Sequence, residues 1–153
     1  MRTYEAAYTC VTVSSAQTLI YITNTSTMAL RVVYASAGIA DVDTNEQTYA
    51  CLQKVSSLGS PTATTVTPAK LSNGDPASSV TCKADVIASE PTYSANTQIG
   101  LESFPMIAGF RFAPQRETDY LEISPSETWG LRLLGAITSA TVPVLIKYQE
   151  IGG

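Results

Sequence analysis

Apolar residues recur at every second position in short runs along this chain, and a spacing of two is the period of a β-strand with one buried face. In residues 18–23 (TLIYIT), Leu19 and Tyr21 lie on one face and Ile20 and Ile22 on the other. Residues 30–35 (LRVVYA) set Leu30, Val32 and Tyr34 against Arg31 and Val33, and residues 49–55 (YACLQKV) form a third run. Phe110 and Phe112 flank Arg111, Leu121 and Ile123 flank Glu122, and Trp129, Leu131 and Leu133 alternate with Gly130, Arg132 and Leu134. The last run, residues 142–148, opposes Val142, Val144, Ile146 and Tyr148 to Pro143, Leu145 and Lys147. Pro143 has no N–H to give a ladder, which predicts a strand start, an edge or a bulge there. No stripe with the 3.6-residue period is sustained, and the best place for a short helix is residues 84–87. About seven to nine short strands separated by turns predict an all-β fold, an antiparallel β-sandwich or jelly roll. Trp129, Leu131, Leu133, Val144 and Ile146 are expected in its core.

The 153 residues are expected to form a single domain, 1–153, large enough to bury a core without staples. Charged residues make up 14% of the chain, against roughly 25% in ordinary domains, and uncharged Ser and Thr fill the gap. The net charge of −4 and the scatter of nine Lys and Arg argue against nucleic acid, which wants a basic stripe, and against an anionic membrane surface. The opening MRTYEAAYTCVTVSS is interrupted by Thr3, Glu5, Thr9 and Thr12, so it does not read as a secretory signal, and no apolar run is long enough to span a bilayer. Synthesis and assembly in a cytoplasm are the expectation. Cys10, Cys51 and Cys82, odd in number and far apart, suggest neither a disulfide framework nor zinc and are expected as free buried thiols.

The chain has no histidine, which excludes the Ser-His-Asp triad, the Cys-His pair and His-ligated metals. Asp41, Asp43 and Asn45 imitate the first ligands of a calcium loop, but Glu46 stands where that turn needs Gly and Leu52 where it needs a bidentate carboxylate. The stretch therefore reads as a polar turn. Glu117, Asp119, Glu122 and Glu127 cluster in sequence, yet Glu117 and Asp119 share a period and Glu122 points away from the core side of Leu121 and Ile123. A glycosidase needs two carboxylates facing each other across a sugar, so these read as surface residues. Trp129 with the eight tyrosines could build a sugar platform, but its alternation with Leu131 and Leu133 marks a core aromatic. No enzyme activity, metal or cofactor is expected.

Residues 56–79 (SSLGSPTATTVTPAKLSNGDPASS) break both periods and are long for a connection, as functional loops often are. Asn73-Gly74-Asp75-Pro76 is a turn by mechanism, since Asn and Gly tolerate positive φ and Pro76 keeps Asp75 extended. A second polar loop runs over residues 89–96 (SEPTYSAN). The loop 56–79 is expected to be an interaction arm ordered by neighbours, with Leu58, Val66 and Leu71 burying against a partner while Asn73, Asp75 and Pro76 set the turn that aims them.

With its surroundings, this stretch resembles a family of small jelly-roll-like proteins encoded beside capsid genes in tailed bacteriophages. The matching residues are Thr67, Pro68, Leu71, Gly74, Asp75, Pro76, Ala77 and Ser78, with Glu150 after the closing aliphatic run. The resemblance implies a virion structural role, a head decoration or cement protein on the outer capsid surface. Its implied partners are the major capsid protein and sister subunits, as a homotrimer, and no functional residue carries over. A carbohydrate- or receptor-binding β-sandwich module of a phage tail or fibre has the same fold class and composition and is the alternative.

Overall fold

The computed structural model describes residues 1–38, 40, 46–105 and 107–151. Among them are thirteen strands and one 3-10 turn. The first four are β1 (Arg2–Val13), β2 (Gln17–Thr23), β3 (Ala29–Ala37) and β4 (Gln47–Ser57). Next come β5 (Thr62–Val66), β6 (Ala69–Lys70), β7 (Thr81–Ala88) and β8 (Thr92–Tyr93). β9 (Ile99–Pro105) and β10 (Phe110–Phe112) precede the 3-10 turn η1 (Glu117–Asp119), and β11 (Leu121–Ile123), β12 (Thr128–Leu133) and β13 (Ala140–Ile151) complete the set.

The pairing is nested and antiparallel: β1 with β13, β2 with β12, β3 with β10 and β11, and β4 with β9. Two further pairings, β13 with β3 and β12 with β4, join these into two sheets. One runs β10-β3-β13-β1-β6 with β11 also on β3; the other runs β5-β7-β2-β12-β4-β8 with β9 also on β4. Nested hairpins rolled into two facing sheets are a jelly roll, the β-sandwich that the alternation predicts. The segment between β4 and β9 is an addition to that frame. Its β5 and β7 widen the second sheet beyond β2, while β6 adds a short edge to β1 in the first.

The core lies between the sheets. β13 alternates buried and half-buried residues along all twelve positions, sending Val142, Val144, Ile146 and Tyr148 inward. Trp129, Leu131, Leu133, Val144 and Ile146 all lie in the core, as expected. Fully burying one such aliphatic is worth about 1.5–3 kcal/mol, so the inward alternation of β13 is well specified even though its register against β3 shifts between Lys147 and Tyr148. In β2 both faces are buried, from Thr18 to Ile22. One face meets the other sheet, and the outer one is covered by the 89–98 segment, whose Tyr93 fills the space over Gly130. A Cβ on Gly130 would lie 2.4 Å from the Tyr93 hydroxyl oxygen.

Three expectations are corrected. Residues 84–87 belong to β7 and not to a helix. A bulge opposite β5 between Thr62 and Thr64, with Asp85 at φ 56°, breaks the period of two there and imitates a helical spacing. Pro143 sits in a central strand, but just past the end of β3; its carbonyl accepts from Gly38 N–H at 2.8 Å, so its missing N–H falls on that side and not in the ladder with β1. Glu117 and Asp119 lie in a 3-10 turn, so they do not share the period of a strand, although both are exposed as surface residues.

Candidate interaction surface

The segment expected to be a free arm is largely built into the fold. Ser56 and Ser57 end β4, and Thr62–Val66 pairs with β7. Val66 is only 7% exposed and belongs to the core, so it cannot bury against a partner as the sequence suggested. After Thr67 and Pro68 the chain crosses to the other sheet, where Lys70 and Ala69 pair with Tyr4 and Glu5 and Leu71 N–H donates to the Thr3 carbonyl at 3.1 Å. Ser72–Asp75 then closes a turn, with Asp75 N–H donating to Ser72 C=O at 3.1 Å. Neither Asn73 nor Gly74 takes a positive φ, so the tolerance read from their sequence is not used.

The chain's own strands hold this turn. The Tyr4 hydroxyl donates to the Pro76 carbonyl at 3.1 Å. Ser78 Oγ lies 2.7 Å from the Tyr148 hydroxyl and donates to Glu150 Oε1 at 3.1 Å, while Val80 N–H donates to Ser78 Oγ at 3.2 Å. Thr25 Oγ1 donates to the Ser79 carbonyl. Tyr4 and Tyr148 are fully buried and stack at 5.6 Å between centroids. Burial, helped by neighbouring Cys82 and Glu150, pushes the Tyr148 hydroxyl well above its ordinary pKa, so it stays protonated as a donor. Glu150, near the end of β13, is itself buried, with Arg2 at 3.9 Å. The arm is thus ordered from within. Leu71 remains outside at 53% exposure, beside exposed Asn73 and Pro76; Asp75 and Leu58 are half-buried.

Sequence reasoning saw no role for the 89–98 segment beyond a loop, yet it forms a polar strap over the second sheet. Glu90 accepts from Thr18 N–H at 2.9 Å and from Thr18 Oγ1 at 2.5 Å. The Tyr93 hydroxyl lies 2.6 Å from Thr18 Oγ1, and its ring lies 3.9 Å beneath the Arg132 guanidinium. Arg132 donates to Gln53 Oε1 at 2.7 Å, and Gln53 Nε2 to the Ser94 carbonyl at 2.9 Å. Thr18 and Gln53 are satisfied by neighbours in the strap, whereas Arg132 is held by Gln53 and by the Tyr93 ring, and its buried Nε has no hydrogen-bond partner among the described residues.

Asp41, Asp43 and Asn45 lie outside the described residues. Glu122 is exposed and pairs with Arg31 at 2.9 Å, which also approaches Glu117 at 3.9 Å and lies 5.6 Å from the Tyr120 centroid. Those residues line an open depression of about 560 Å³. Cys10, Cys51 and Cys82 are free and buried, and burial pushes the Cys10 and Cys82 thiols up to about 12. On the outer face of the first sheet, Ser36, Leu145 and Ala7 stand side by side in register and Pro143 faces Thr9. Small side chains between larger ones leave a shallow trough of about 380 Å³ there, with no charged residue in its lining.

The architecture defines the class, a jelly-roll β-sandwich with an ordered insertion between β4 and β9. Compared with protein-family models, curated proteins and solved structures, the chain has no match.

Proposed function

We propose that the chain is a non-enzymatic structural protein of a bacteriophage virion, a decoration protein on the outer surface of the head whose partners are the major capsid protein and sister copies. The observation that carries this reading is Leu71, 53% exposed beside a turn that buried Tyr4 and Tyr148 hold in place. An apolar side chain on a segment already ordered costs little entropy to dock, which is how preorganised contacts gain affinity. The resemblance of the same stretch to a phage head family supports the assignment. So does the fold, since jelly rolls recur in viral capsid and lectin domains, although that support is by analogy alone.

The test is co-sedimentation with empty heads of a phage that encodes this chain, stripped of the protein. Wild-type protein is expected to bind saturably, and Leu71→Asp to bind at least ~10-fold more weakly while staying folded, as loss of a central contact does. Failure of wild-type protein to bind heads overturns the virion reading, and equal binding by Leu71→Asp removes the turn from the contact. The depression around Arg31, Tyr120, Glu117 and Glu122 favours the carbohydrate-binding module as the second reading, because it offers one aromatic face with charged hydrogen-bonding groups. Binding to a glycan array, abolished by Tyr120→Ala and without binding to heads, selects that reading.

A further inference from the structure

β1 is tied to β13 along nearly its whole length, but among the described residues its other side is paired only over Thr3, Tyr4 and Glu5, with β6 and Leu71. Which backbone groups remain open follows from one bond. Leu71 N–H donates to Thr3 C=O, so Thr3 faces β6. Successive residues of a strand direct their N–H and C=O to opposite sides, so Thr3, Glu5, Ala7 and Thr9 all direct theirs away from β13. Ala7 and Thr9 are exposed, and among the described residues neither has a backbone partner on that side. Beyond them the ladder breaks in a bulge between Cys10 and Val13, with Thr12 at φ 57°.

Open edges in native sheets are guarded by charge, proline or brevity. Here β9 carries Glu102 and Pro105, β10 Arg111, β11 Glu122 and β6 Lys70; β8 has two residues, and β5 lies between Pro61 and Pro68. Residues 6–12 of β1 (AAYTCVT) have neither a charge nor a proline. Their outward side chains Ala7 and Thr9 also form the rim of the uncharged trough over Leu145, Ser36 and Pro143, and Val11 at the end of the window is 57% exposed.

We propose that this edge receives an added β-strand: an extended, uncharged segment of another protein, about five residues long, that pairs with Ala7 and Thr9 and lays a large apolar side chain over the trough. An uncharged strand is specified because the window and the trough offer no countercharge. A second copy of β1 does not fit, because antiparallel pairing of β1 with itself about this window would place the β6 of each copy on the line of the other copy's strand beyond Cys10. The inference does not depend on the virion assignment.

Amide exchange on the full chain tests it, with an end-blocked, uncharged peptide of alternating leucine and threonine as the probe. In dilute free protein the Ala7 and Thr9 amides exchange fast while those of Ala6 and Tyr8, directed at β13, are protected. Saturating peptide is expected to slow Ala7 and Thr9 by ~10-fold or more. Thr9→Pro removes an outward N–H without touching the β13 ladder and should weaken peptide binding about tenfold, as should Thr9→Lys, whereas Thr9→Val should retain it. Ala7 and Thr9 amides already protected in dilute protein, protection that rises with protein concentration and no peptide, or peptide protection centred on β9 or β10 would each overturn the proposal.

Discussion

Replacing Ser78 with alanine asks whether the 71–80 segment is held by the chain itself. Ser78 Oγ makes three contacts, to the Tyr148 hydroxyl at 2.7 Å, Glu150 Oε1 at 3.1 Å and Val80 N at 3.2 Å. Tyr148 is fully buried and Glu150 is 4% exposed, so Ser78→Ala strands polar groups that water does not readily reach. An unsatisfied buried group costs about 1–3 kcal/mol, which puts Ser78→Ala near 2 kcal/mol. For a chain of this size that lowers Tm by about 4–8 °C. Tyr148→Phe removes the hydroxyl but leaves Ser78 its bond to Glu150, so about 1 kcal/mol is expected. Because the two residues share one bond, the double variant should cost about 1 kcal/mol less than the sum of the singles. Urea denaturation of purified, isolated protein reads all three, with an unchanged slope confirming that the folded and unfolded states are otherwise alike. The decisive comparison is with the expectation that neighbours order the segment. If Ser78→Ala stays within about 0.5 kcal/mol of wild type and the cycle is additive, the anchoring is not effective in the isolated protein and the reasoning fails.

Val66→Ala is expected to destabilise the isolated protein by about 1–3 kcal/mol and Leu71→Ala by under about 0.5, since only Val66 is in the core; equal costs in thermal denaturation would contradict that division. Gly130→Ala forces a Cβ against Tyr93 and should cost about 1–3 kcal/mol and speed amide exchange across residues 89–98, with unchanged exchange counting against the strap's close fit. Cys10, Cys51 and Cys82 should resist a thiol reagent in the native protein and all react in denaturant, and fewer than three reactive thiols in unfolded, non-reduced protein would reveal a bridge. Burial raises the Cys10 and Cys82 thiols from 9.0 to about 12, so the folded state keeps protons that the unfolded chain sheds above pH 9. Their contribution to stability is therefore whole below that pH and is lost progressively toward pH 12; a urea midpoint that rises above pH 9 would reverse the sign.

The alternation of β2, β3, β4, β12 and β13 was legible because each buries at least one face, and burial selects apolar residues at every second position whatever the partner strand is. The core residues Trp129, Leu131, Leu133, Val144 and Ile146 followed from that rule alone. β1 was passed over because Ala and Thr occupy its outer face and Ala and Cys part of its inner one, which flattens the contrast between faces. β9 was hidden for the opposite reason, having four exposed residues in succession at a sheet edge. The fate of residues 56–79 depended on contacts distant in sequence. Tyr4 and Pro76 are 72 positions apart, and Ser78 and Tyr148 are 70 apart, so no local pattern announces that they meet. Composition along one segment reports how much apolar surface it carries, whereas its order depends on which distant hydroxyls and strand edges the fold brings to it. The nested pairing of β1 with β13 put Tyr4 beside Tyr148, and that juxtaposition turned a Ser- and Pro-rich loop into a fixed part of the sandwich. Among the described residues the same pairing left the far side of Ala7 and Thr9 open, because a strand has two edges and its sequence does not say which of them a neighbour will fill.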